Sequence, residues 1–106
     1  MDDFEAPLGL YLQAASPREI LARMLRNLKE IYRSQQDWPR LLAVQERLVV
    51  LLPESWPEYR DRGLVHAELG HTQDALHDLR VYLGAEPEAH DQAALQVRLS
   101  ELSGDA

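Results

Sequence analysis

Pro53 and Pro87 stand 34 residues apart, and the residues around them repeat at the same offset. Arg26 falls on Arg60, Leu42 on Leu76 and Glu54 on Glu88, with softer matches of Leu25 to Tyr59, Leu41 to Ala75, Leu48 to Tyr82 and Val49 to Leu83. A repeat of this length is one supersecondary unit, too small to bury its apolar face alone, so the chain is constrained to stack its units on one another. Each unit must then be a pair of short elements.

Local signals identify those elements as helices. Ser16-Pro17-Arg18-Glu19 offers a hydroxyl N-cap, a proline at the first helical position, where its missing N–H costs nothing, and a glutamate for a capping box. From there Ile20, Met24, Leu25, Leu28, Ile31 and Tyr32 recur at three- and four-residue intervals, which predicts an amphipathic helix over about 17–35. Asp37-Trp38-Pro39 caps a second helix over 38–52, ended by Pro53. Ser55-Trp56-Pro57-Glu58 caps a third over 56–69, closed by Gly70 as a C-terminal glycine. A fourth covers 72–84, stopped by Pro87, and a fifth 89–102. No segment alternates with a two-residue period, so the expected class is all-α, with residues 1–16 an extension or linker and 103–106 a tail.

The chain of 106 residues fits one domain with one modest core. It carries a net charge of −7, which argues against nucleic-acid binding, since that needs a basic footprint. The charge is uneven: residues 1–47 hold seven basic and seven acidic side chains, whereas 48–106 hold four basic and eleven acidic. There is no cysteine, hence no disulfide framework and no thiolate metal site. The amino terminus is acidic and lacks the pattern of a secretory signal. The longest apolar run, Leu48 to Leu52, is far short of a bilayer span. The expectation is a cytoplasmic protein with no membrane or nucleic-acid partner.

The unit from Trp56 to Ala89 resembles a tetratricopeptide repeat: Tyr59 at the large position of its first helix, Gly63 at the small position, Leu69-Gly70 at the turn, Ala75-Leu76 opening the second helix, Tyr82-Leu83 near its end and Pro87 closing it. The unit from Ala22 to Ser55 departs from the pattern, with Lys29 at the small position, Gln36 at the turn and Gln45 at a large apolar position. Over about 17–102 the succession "REILARMLRNLKEIY", "DWPRLLAVQERLVVLLP", "YRDRGLVHAELG" is similar to the carboxyl-terminal helical region of bacterial SirB-type proteins, which carry a transglutaminase-like domain ahead of it. The resemblance implies a right-handed α-solenoid of antiparallel helix pairs, two repeats and a capping helix. It also implies a non-enzymatic protein-interaction module, or alternatively an accessory domain that docks on a transglutaminase-like domain and has no ligand of its own.

Carried over residue by residue, the resemblance puts Arg23, Arg26, Asn27, Glu30 and Arg33 of the first unit, Arg60, Asp61 and Leu64 of the second, and Arg98 of the cap on a concave groove. A basic groove in an acidic body attracts a carboxylate-bearing peptide and orients it. The competing reading is a solvated face whose arginines pair with Glu30 at spacings worth about 0.2–0.5 kcal/mol. Because two repeats and a cap are few for an independent stack, some apolar surface on the convex side or on the first helix is expected to meet a preceding domain, a second copy of the chain, or the segment Leu8 to Leu12. Trp38 and Trp56, both at helix starts, are read either as staples that fix helix entry or as contact residues, with packing in the core or at its edge the favoured role.

Enzyme motifs are absent: no glycine-rich phosphate loop and no His-Glu-x-x-His. The four histidines, His66, His71, His77 and His90, read as solvated or packing residues, because Asp74-x-x-His77 supplies only two ligands, and no cofactor or metal is expected. Structural roles fall to Gly63, Gly70, Pro53 and Pro87. Arg62 is the anomaly. It lies on the stripe facing the paired helix, where its counterpart Leu28 is apolar, so its guanidinium must find a carboxylate, with Asp78 the first candidate.

Overall fold

The computed structural model describes residues 16–104, and the segment Leu8 to Leu12 lies outside them. Each of the first three helices begins where a polar residue and a proline meet. Ser16 Oγ accepts from the Glu19 N–H at 3.1 Å and opens α1, Pro17–Ser34. Asp37 Oδ1 accepts from the Arg40 N–H at 3.3 Å and opens α2, Trp38–Leu51. These contacts satisfy N–H groups that have no partner inside the helix. Ser55 departs from expectation. It occupies the N-cap position of α3, Trp56–Glu68, but its side chain makes no capping bond; instead its carbonyl accepts from the Glu58 N–H at 3.0 Å, and Glu58 turns into the core.

Gly70 ends α3 at φ +77°, a left-handed conformation that glycine adopts without a Cβ penalty, and the chain reverses into α4, Thr72–Ala85. The last helix, α5, is Gln92–Ser103 and starts three residues later than expected. The delay has a local cause: residues 86–91 form turns through Ala89 N–H to Glu86 O and Gln92 N–H to Ala89 O, both 3.1 Å. No strand occurs among the described residues, and none of the helices is long and apolar enough to cross a membrane. Each helix packs on the next in chain order, α3 on α4 most extensively.

The 34-residue offset is visible in the burial. Leu41, Val44, Gln45, Leu48 and Val49 of α2 are all buried, and so are Ala75, Asp78, Leu79, Tyr82 and Leu83, their counterparts in α4. Two apolar clusters result. Leu25, Val44 and Leu48 join α1 to α2, with Tyr32, Leu51 and Leu52 around them. Leu79, Tyr82, Leu83 and Leu95 join α4 to α5, flanked by Trp56 and Leu64 of α3. Trp56 thus packs at the edge of the core and against the Tyr59 ring, with centroids 5.6 Å apart. Between α2 and α3 the contact is polar. Fully buried Gln45 donates through Nε2 to both the carbonyl oxygen and the Oε1 of Glu58, 3.2 Å each.

Gly63 is architectural in a measurable sense. A Cβ there would stand 3.0 Å from the Asp78 Cβ and 3.1 Å from the Leu79 side chain. Two positions in this register that hold charge, Lys29 and Arg62, are explained by partners on neighbouring helices. Lys29 occupies the counterpart of Gly63 and reaches Glu58 and Asp61; Arg62 makes two parallel bonds to Asp78, Nε to Oδ2 at 2.7 Å and Nη2 to Oδ1 at 2.8 Å.

Candidate functional site: a groove between the first, third and fifth helices

The carboxyl-terminal half of α1, the start of α2, the middle of α3 and Arg98 of α5 enclose an open groove. Its walls include Lys29, Glu30, Arg33, Trp38, Arg60, Asp61, Leu64 and Arg98, and Gln45 reaches it from the buried side. Of the expected groove residues, Glu30, Arg33, Arg60, Asp61, Leu64 and Arg98 come together here. Arg23, Arg26 and Asn27 do not: they line a separate shallow cleft with Arg18, Glu19, Ala22 and Leu52. Arg26 and Lys29 bind α1 to Glu58 at the start of α3, and that contact divides the two concavities.

The groove is not a free basic surface. Glu58, almost fully buried, accepts from Arg26 Nε and Nη2 at 3.3 Å each, from Lys29 Nζ at 3.0 Å and from Gln45. Asp61 accepts from Lys29 and, at 2.9 Å, from Arg60 Nε. Arg60 Nη1 reaches Asp91 at 3.2 Å, its guanidinium lies 5.4 Å from the Tyr82 ring centroid, and the Tyr82 hydroxyl donates to Asp91 at 2.9 Å. Arg33 donates to Glu30 at 2.6 Å, one helical turn away. Arg98 and Glu101 stand 4.0 Å apart. Most of these cations therefore carry a carboxylate already. Arg33 and Arg98 pair along their own helices, whereas Arg26, Lys29 and Arg60 reach carboxylates on another helix or in the 86–91 turn, which is why a reading of one helix face overcounts the positive charge.

The protonation energetics follow from those contacts. Burial pulls the Arg60 guanidinium down, but the bond and charge of Asp61, then the bond from Asp91, outweigh it and hold it above the usual arginine value. Burial pushes the Tyr82 phenol up and its bond to Asp91 adds to the effect. At Asp91 burial acts upward, yet the Tyr82 hydroxyl and Arg60 prevail and hold the carboxyl below its ordinary value. Asp91 also occupies the N-cap position of α5, where its carbonyl accepts from the Leu95 N–H but its side chain makes no capping bond, being turned to Arg60 and Tyr82. The cap helix is thereby pinned to both helices of the second unit.

One polar atom of this region is unsatisfied. Gln45 Oε1 is buried and has no hydrogen-bond partner, while its amide nitrogen is committed to Glu58. A buried acceptor of this kind costs free energy until a donor reaches it. Reasoning from sequence took Gln45 as a weak match to an apolar position and Glu58 as a capping residue. A polar residue at a position whose 34-residue counterpart is the fully buried Leu79 was the available signal.

Comparison with known proteins agrees with this architecture. The tetratricopeptide repeat family model matches residues 28–100. The chain is 37% identical over 105 residues to a "UPF0162 protein" of Xylella fastidiosa (strain Temecula1), covering 95% of this chain and 37% of that protein. It is 34% identical over 77 residues to "Protein SirB1" of Salmonella typhimurium, covering 73% and 29%, and 30% identical over 93 residues to a "UPF0162 protein" of Pseudomonas aeruginosa, covering 88% and 34%. The chain thus spans about a third of the length of the curated relatives it matches. No solved structure gives a significant match. With a repeat register that recurs in sequence, in burial and in the family match, the chain belongs to the tetratricopeptide repeat family, as a helical domain of the SirB type.

Proposed function

We propose that this chain is a non-enzymatic protein-interaction module whose domain spans 17–102. In this reading the helices form a right-handed solenoid of antiparallel pairs, α1 with α2 and α3 with α4, capped by α5, and a peptide or partner segment lies in the groove. The observation that carries the proposal is the convergence, in one open concavity, of apolar walls at Trp38 and Leu64, exposed cations at Arg33 and Arg98, and the unpartnered Gln45 Oε1 beside it. An extended peptide supplies an N–H for the amide oxygen, apolar side chains for the walls, and carboxylates that exchange with Glu30 and Glu101 at the two guanidiniums.

The informative substitutions are Arg33→Glu and Arg98→Glu, since Arg60 also holds Asp61 and Asp91 in place. A library of acidic and neutral peptides is screened by fluorescence polarisation against wild type and the double variant. Acidic peptides that bind wild type and lose at least about tenfold in the variant support the groove. Equal binding by both proteins, with helicity unchanged, removes the groove from the account.

A second reading is favoured by a different surface. Leu21, Met24, Leu28 and Ile31 form a stripe along α1 that is 38–58% exposed, with Val50 of α2 beside it at 80%. Apolar stripes of this kind mark contact faces. In this reading the stripe docks on the transglutaminase-like domain that the SirB resemblance implies. Light scattering of the chain alone and with such a domain separates the outcomes: a one-to-one complex supports docking, a dimer of the isolated chain assigns the stripe to self-association, and a monomer that ignores the domain leaves the groove reading.

A further inference from the structure

The turn that Gly70 makes between α3 and α4 returns the chain over the last turn of α3. His71 N–H bonds the His66 carbonyl at 2.8 Å, and the two imidazoles face one another with Nδ1 to Nδ1 at 3.0 Å. His71 holds the N-cap position of α4, yet its side chain makes no capping bond and is turned to His66 instead. Asp74, in the first turn of α4, completes a group whose three ligand atoms lie within 4.8 Å of one another. His66 is buried; His71 and Asp74 are exposed and can adjust.

We infer that His66 Nδ1, His71 Nδ1 and an Asp74 carboxylate oxygen form a site for one divalent first-row transition ion, such as zinc, cobalt or nickel. Two imidazoles and a carboxylate are the donor set such ions prefer over calcium or magnesium. Two nitrogens 3.0 Å apart, each about 2.1 Å from a common ion, subtend an angle of about 90° there; opening by roughly 0.4 Å reaches the tetrahedral value. Rotation of the exposed Asp74 side chain brings in the third ligand. Without an ion, a hydrogen bond across the 3.0 Å between the two Nδ1 atoms requires one of them to carry a proton. Metal replaces that proton's role and both rings then hold their hydrogen on Nε2.

The surroundings suit that tautomer. His66 Nε2 faces Asp78 Oδ2 at 3.9 Å, the side on which a metal-bound histidine commonly meets a carboxylate. Arg62 is the cation nearby, but Asp78 neutralises it through two hydrogen bonds, and Asp74 adds a further negative charge. Three protein ligands leave at least one position for water or a further donor, and His77 lines the adjoining cleft with Asp74 and Asp78. Neither helix carries the site alone, since the group forms only when the glycine turn folds α4 back onto α3.

The test uses the tag-free 106-residue chain. Zn²⁺ is titrated by calorimetry and Co²⁺ by its visible absorption, in wild type, His71→Ala, Asp74→Asn and His90→Ala. The expected result is one ion per chain, at least about tenfold weaker in His71→Ala and in Asp74→Asn, and unchanged in His90→Ala. Because residues 71 and 74 are exposed, both variants should keep the wild-type circular dichroism. No saturable Zn²⁺ binding up to about 1 mM, or equal affinity in wild type and both ligand variants, overturns the site.

Discussion

Replacing Arg62 by leucine tests whether the second unit depends on a buried ion pair where the first carries two apolar residues. The Asp78 carboxylate is 2% exposed and the Arg62 side chain 21%, and two bonds of 2.7 and 2.8 Å join them. At the 34-residue offset their counterparts are Leu28 and Val44, the latter part of the core. Arg62→Leu strands a buried carboxylate, and with His66 still nearby the expected cost is about 3 kcal/mol, the low end for breaking such a pair. Asp78→Val leaves an arginine whose head can turn to solvent, for about 1–2 kcal/mol. The double variant, which installs the first unit's residues in the second, is expected within about 1 kcal/mol of wild type, so the two changes are coupled by roughly 3 kcal/mol. Urea unfolding at pH 7, followed by circular dichroism, reads this directly. With a slope of about 1.5 kcal/mol per molar, Arg62→Leu lowers the midpoint by about 2 M and the double variant largely restores it. A single variant within about 0.5 M of wild type, or a double variant that shows the sum of both losses, refutes the reasoning.

Two further outcomes bear on the fold. Gly63→Ala is expected to lose about 1–3 kcal/mol, because the new methyl meets the Asp78 Cβ at 3.0 Å and Arg62 holds Asp78 in place; Gly84→Ala, with nothing within 4 Å of its Cβ, should gain a few tenths to about 1 kcal/mol of helix stability, and reversal of these signs in denaturant unfolding rejects the close-approach argument. Asp91 has a folded-state carboxyl below its ordinary 3.8, so between that value and its lower folded one the unfolded chain takes up the proton first. Its contribution is therefore present above about pH 4 and lost as pH falls below 3.8. The difference in urea midpoint between wild type and Asp91→Asn should shrink over that window, and a pH-independent difference would show that Asp91 acts through something other than its charge.

Helix number and most boundaries were legible because the signals are local: Ser16, Asp37 and the glycine at 70 act within one turn of where they stand. The repeat was legible because burial recurs with the offset, down to Gly63 and its Asp78 and Leu79 neighbours. Arg62 was legible for a related reason, since a charge on an apolar stripe demands a partner within reach, and Asp78 was the carboxylate the register supplied. What escaped was anything that depends on two helices meeting at a polar contact. Gln45 reads as a departure at an apolar position and Glu58 as a capping residue until each is seen to bury the other, and His66 with His71 reads as two separate histidines until the Gly70 turn brings them together. The start of α5 slipped by three residues because Asp91 spends its carboxylate on Arg60 and Tyr82 rather than on a cap that sequence rules could recognise.

The paired charges alter what the groove can select. Had its cations been bare, long-range attraction would dominate and almost any acidic segment would bind, with affinity falling steeply in salt. Here an incoming carboxylate at Arg60 or Lys29 must displace Asp61, exchanging one charge-assisted bond for another with little net gain. In the proposed reading, discrimination then falls to the unpartnered Gln45 amide oxygen, the apolar walls at Trp38 and Leu64, and the guanidinium of Arg98, whose Glu101 partner stands 4.0 Å away. Glu58 ties this to the stack itself, because the carboxylate that anchors α1 through Arg26 and Lys29 also receives Gln45 from α2. In that reading, a ligand that draws Lys29 or Gln45 toward itself loosens the joint between the two repeats. In the proposed peptide-binding reading, shape and hydrogen-bond register therefore select among acidic segments beyond what net charge does.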